Sequence, residues 1–62
     1  MIINANIEVN NVPGKGIANG YLVVTNDNGK LWYYGLYADK GRAEAAVNEN
    51  AEMRFMVEVV NE

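Results

Sequence analysis

The chain has 62 residues, half of them hydrophobic and 21% charged, with a formal net charge of −3 and neither cysteine nor histidine. That length gives one small domain spanning 1–62, which buries only ~60% of the surface its unfolded chain exposes, and the composition is that of a folded domain, not a disordered tail. Disulfides, thiolate zinc sites and imidazole bases are excluded; with no serine either, no familiar nucleophile and base can be assembled, so the expectation is a non-enzyme without cofactor or metal.

From the N-terminus, Ile3, Ala5, Ile7 and Val9 alternate with Asn4, Asn6, Glu8 and Asn10, the period of a strand with one buried and one wet face. Asn10 to Gly20 mixes turn formers with isolated apolar residues and reads as a long connection, with a tight turn at Pro13-Gly14. Tyr21-Leu22-Val23-Val24-Thr25 is β-branched and aromatic, a second strand.

Asn26-Asp27-Asn28-Gly29 links it to a third strand, Leu31 to Tyr37. With Asn28-Gly29 as the two central residues the link is a type I′ hairpin; a type I turn over Asn26 to Gly29 with a left-handed Gly29 gives a bulged hairpin instead. The second is the preferred reading. It sets Val24 opposite Trp32, Leu22 opposite Tyr34, Val23 opposite Tyr33, and Tyr21 over Gly35. This third strand is apolar or aromatic on both faces, with Trp32, Tyr34 and Leu36 on one and Leu31, Tyr33 and Tyr37 on the other, so each face needs a cover.

After Ala38 the period moves toward 3.6, with Asp39 placed to cap a short helix that begins Lys40-Gly41-Arg42 and turns Ala43, Ala46, Val47 and Asn50 to one side. Gly41 weakens it by roughly 1 kcal/mol relative to alanine, so packing must hold it. Met53, Phe55, Val57 and Val59 then alternate with mostly polar neighbours as a fourth strand. The expected fold is α+β in two layers, an antiparallel four-stranded sheet with one helix in the order β-β-β-α-β, forming a dimer.

One short helix cannot cover both faces of such a sheet. The expected inner face holds Ile3, Ile7, Leu22, Val24, Trp32, Tyr34, Phe55 and Val57, which leaves Tyr21, Val23, Leu31, Tyr33 and Tyr37 as an interaction surface. A second copy of the chain is the favoured cover, by face or by pairing of an edge strand, and an unidentified protein partner is the other.

Three further features carry weaker signals. Gly14-Lys15-Gly16 has glycines and a cation but neither the spacing nor the hydroxyl of a phosphate loop, and reads as a turn. Glu8, Glu52 and Glu58 occupy the polar phase of their strands and read as solvated charges. The aromatic residues are suited to stacking on bases, yet Lys15, Lys30, Lys40, Arg42 and Arg54 are scattered and the balance is acidic, which argues against nucleic acid as the main partner. The apolar runs are far shorter than the ~20 residues that span a bilayer. Met1 to Asn10 lacks the basic start and unbroken apolar stretch of a signal peptide, so no membrane association and a cytoplasmic location are expected. The resulting expectation is a small acidic protein-binding module, homodimeric, of the kind found among phage and mobile-element accessory proteins that modulate a host protein. Single-stranded nucleic-acid binding and a phage structural or assembly subunit are the alternatives.

Overall fold

In the computed structural model, which describes residues 1–60, the chain forms β1 (Ile2–Ile3), β2 (Ile7–Asn10), β3 (Gly20–Asp27), β4 (Lys30–Tyr37), α1 (Lys40–Asn48) and β5 (Arg54–Val59). The α+β class with one helix agrees with the sequence. The sheet does not: it is mixed and five-stranded, in the order β1-β2-β4-β3-β5, with β2 parallel to β4 and the other pairs antiparallel.

Two local causes explain the difference. Asn4 and Ala5 both adopt positive φ, 52° and 65°, and the Asn6 N–H donates to the Ile3 carbonyl, so the expected first strand folds back on itself as the β1–β2 hairpin. The connection 11–19 then crosses the sheet so that β2 lies beside β4 and runs parallel to it.

The central hairpin sets the register. Asn28 and Gly29 have φ of 52° and 86° and Asp27 pairs with Lys30, so the link is the two-residue type I′ turn, not the bulged turn preferred from sequence. Asn26 Oδ1 accepts from the Gly29 N–H at 3.0 Å and steadies it. Relative to the expected pairing, the strands slip by one residue near the turn: Trp32 faces Thr25, and Val24 faces Tyr33. A one-residue slip exchanges faces.

A β-bulge follows within the same pair. Val23 lies opposite Gly35 and Val24 opposite Tyr33, which leaves Tyr34 as the extra residue of β4. Gly35 makes room for it. A Cβ at Gly35 would lie 3.2 Å from the Tyr37 ring, so the aromatic side chain over this glycine is Tyr37 and not, as expected, Tyr21.

β3 is the centre of the molecule and is buried on both sides. Leu22 and Val24 point into a core with Ile3, Val9, Ile17 and Val59, closed over by Ile7 and by Val12 and Ile17 of the 11–19 connection. Val23 points the other way, under Ala43 and Ala46 of α1 and among Tyr21, Tyr37, Val47 and Met56. Small helix residues let α1 sit close to β3. Its start is held as the sequence implies, with Asp39 Oδ1 accepting from the Gly41 N–H at 2.8 Å. The sheet curls enough for its first and last strands to meet, where Asn4 Nδ2 donates to the Glu58 carbonyl at 3.0 Å.

Candidate protein-interaction surface

A helix is about 10–12 Å wide with its side chains, and strands are spaced about 4.7–4.9 Å apart, so one helix covers two to three strands. α1 packs on Val23 of β3 and Met56 of β5, and on the Tyr37 end of β4. The same face of β1, β2 and the first half of β4 therefore lies open. On it stand Trp32 and Tyr34, 41% and 42% exposed. Their placement corrects the sequence reading, which assigned both to the core. The one-residue slip at Asn28-Gly29 carried them to the opposite face.

The two rings are held in different ways. Trp32 stands between its cross-strand neighbours Thr25 on β3 and Asn10 on β2. The Tyr34 ring carries the Arg54 guanidinium 3.9 Å above its centroid, and its hydroxyl lies 3.4 Å from Glu49 Oε1. Arg54 Nη1 donates to the Ala46 carbonyl at 2.9 Å and to Glu49 Oε1 at 3.2 Å, which ties β5 to the last turn of α1. A cation at a helix C-terminus is favourably placed against the helix dipole. Ile2, exposed, joins the same face by register through its pairing with Glu8.

The five residues expected to form one surface do not share a face. Val23 is fully buried beneath α1, with Tyr21 and Tyr37 half-buried around it. Leu31 and Tyr33 are half-buried on the opposite side, against the core of Leu22 and Val24. The aromatic rings left in the open are the pair the period-2 reading placed inside. The signal that would have found them is the Asn28-Gly29 dipeptide, the strongest short-range mark of a two-residue hairpin.

Nothing catalytic is assembled around them. Among the described residues no group of three or more Asp and Glu side chains could hold a metal ion. Glu8 and Glu58 lie on β2 and β5, Glu52 lies in the turn before β5, and all three are exposed. Pro13 to Gly16 forms a turn closed by Gly16 N–H donating to the Pro13 carbonyl at 2.9 Å, with Gly16 at φ 81°. It borders an open cleft of about 470 Å³ lined by Met1, Val9, Asn10, Asn11, Val12, Pro13, Gly14 and Gly16, whose side chains offer no titratable group. Among the described residues no helix is long and apolar enough to cross a membrane. Comparison with protein-family models, with curated proteins and with solved structures finds no match to this chain.

Proposed function

We propose that this chain is a small non-enzymatic protein-interaction module that works as a homodimer and binds another protein through the open aromatic pair Trp32 and Tyr34. The observation that carries the reading is the exposure of the two rings side by side on the sheet face that α1 leaves uncovered. Tyrosine and tryptophan contribute most at the centres of protein interfaces, and each ring can bury on the order of 150–250 Å². The exposed Glu8 and Glu49 beside the pair suit a partner with basic residues at its rim. A phage or mobile-element accessory protein acting on a host protein is the setting this size and charge suggest. A cytoplasmic location goes with it.

The test is a titration of a captured and purified partner against wild type and a Trp32→Ser/Tyr34→Ser double variant. The expected result is a change in Trp32 fluorescence for wild type and at least about a tenfold weaker Kd for the variant, given that central aromatic anchors are worth about 2 kcal/mol or more each. An unchanged Kd overturns the assignment of the surface. Quenching of Trp32 by an oligothymidylate that weakens steeply with salt would favour single-stranded nucleic acid instead.

A further inference from the structure

The free edge of β5 carries a self-complementary pattern. Along an antiparallel strand, alternate residues turn both backbone groups toward one neighbour. β5 has a neighbour on one side only, β3. Two hydrogen bonds fix which residues face it: the Met53 carbonyl accepts from the Asn26 N–H, directed at β3, whereas the Arg54 N–H donates to the Asn50 carbonyl. Phe55, Val57 and Val59 therefore bond to β3, and Arg54, Met56 and Glu58 turn their backbone groups outward. Of the six outward groups, the Arg54 N–H is taken by Asn50 and the Glu58 carbonyl by Asn4 Nδ2. Four remain for the edge: the Arg54 carbonyl, the Met56 N–H and carbonyl, and the Glu58 N–H.

We infer that β5 pairs antiparallel with β5 of a second copy about a two-fold axis at Met56. In that register Met56 meets Met56 of the other copy, and their N–H and carbonyl groups exchange two hydrogen bonds. Each Glu58 N–H meets the other copy's Arg54 carbonyl, so the four edge groups of each chain are all paired. The side chains agree with the backbone. Arg54 stands opposite Glu58 twice on the helix side, opposite charges at directly facing positions. Phe55, 39% exposed, stands opposite Val57 twice on the other side. A shift by two residues in either direction loses both charge pairs. β5 has neither proline nor lysine to discourage edge pairing. The inference rests on the homodimer reading above and supplies its seam, at a surface separate from Trp32 and Tyr34.

Cysteine cross-linking and sedimentation together test it, helped by the absence of native cysteine. In Met56→Cys the two thiol-bearing residues face each other with Cα atoms about 5.5 Å apart, inside the disulfide range; in Glu58→Cys they lie four residues out of step, beyond it. The expected result in a glutathione redox buffer is a disulfide-linked dimer from Met56→Cys and none from Glu58→Cys. Glu58→Arg, an exposed change that leaves the fold intact by circular dichroism, sets arginine against Arg54 twice and is expected to weaken the dimer about tenfold to a hundredfold by sedimentation equilibrium. A wild-type dimer that is indifferent to Glu58→Arg but dissociated by Trp32→Ser/Tyr34→Ser overturns the seam and leaves the homodimer standing. A wild type that stays monomeric at millimolar concentration overturns both.

Discussion

Replacing Arg54 by methionine removes the guanidinium while keeping an apolar stem, and the contacts around it fix the expected loss. Its hydrogen bond to the Ala46 carbonyl, at 2.9 Å from a side chain only 17% exposed, is the largest contribution. A hydrogen bond to a charged group is worth about 1.5–3 kcal/mol. The stack on Tyr34 at 3.9 Å adds a cation–π contribution, about 0.5–1 kcal/mol for a ring this exposed. The ion pair with Glu49 adds little, because that carboxylate is 66% exposed and screened by solvent. One term opposes these. Arg54 Nε is buried with no partner among the described residues, which costs about 1 kcal/mol that the variant recovers. The balance is a destabilisation of about 2 kcal/mol, or a fall in Tm of about 8–16 °C for a domain of this size. Urea unfolding followed by circular dichroism, at one fixed protein concentration so that self-association does not shift the midpoint, measures it. Glu49→Gln under the same conditions should change stability by less than about 0.5 kcal/mol. If Glu49→Gln were as damaging as Arg54→Met, the ion pair would be the tie between α1 and β5, and the weight placed on the Ala46 carbonyl would be wrong.

Two turn residues yield opposite effects. Ala5 holds φ 65°, a conformation that disfavours L-residues other than glycine by about 1–2 kcal/mol. Ala5→Gly relieves that but frees the unfolded chain by about 0.4–1 kcal/mol; a net gain of about 0.5 kcal/mol is expected in thermal denaturation, and a loss would show that the hairpin turn is not under strain. Asn28 holds φ 52° in the type I′ turn, where a β-branched residue is a steric outlier. Asn28→Val should lower stability by about 1–2 kcal/mol, whereas the bulged turn would place residue 28 at negative φ and tolerate the change.

Much of the architecture is legible in the sequence, and its failures share a scale of one residue. The central strands, the helix and the last strand stand where periodicity put them, and Asp39 caps α1 as its position implies. Faces were lost because a side-chain period of two turns any one-residue error into an exchange of inside and outside. The turn choice at Asn28-Gly29 moved Trp32 out, and the bulge at Tyr34 put Leu36 with the Leu22 core and Tyr37 beneath α1, the reverse of strict alternation. The break at Asn4-Ala5 had no usable signal either. Asparagine tolerates positive φ, but alanine does not advertise it, and the alternation of Ile3 with Ile7 and Val9 runs unbroken across the turn.

The proposed seam and the aromatic pair are linked by symmetry. A two-fold axis that pairs β5 with β5, with Arg54 and Glu58 on one side, stands perpendicular to the sheet. It joins two five-stranded sheets edge to edge without turning either over. Both copies then present α1, Trp32 and Tyr34 toward the same side. A partner that is itself dimeric, or that carries two copies of one motif, meets both aromatic pairs at once, and its second contact forms at high effective concentration. Such pairing raises overall affinity by about 10²–10⁴ without any new contact. Glu58→Arg should therefore weaken binding to a bivalent partner far more than to a monovalent one, although residue 58 lies on β5 and the aromatic pair on β4. Trp32→Ser/Tyr34→Ser should weaken both alike. Equal losses for the two kinds of partner in Glu58→Arg would mean that the two surfaces act independently, and that the dimer does not align the aromatic pairs.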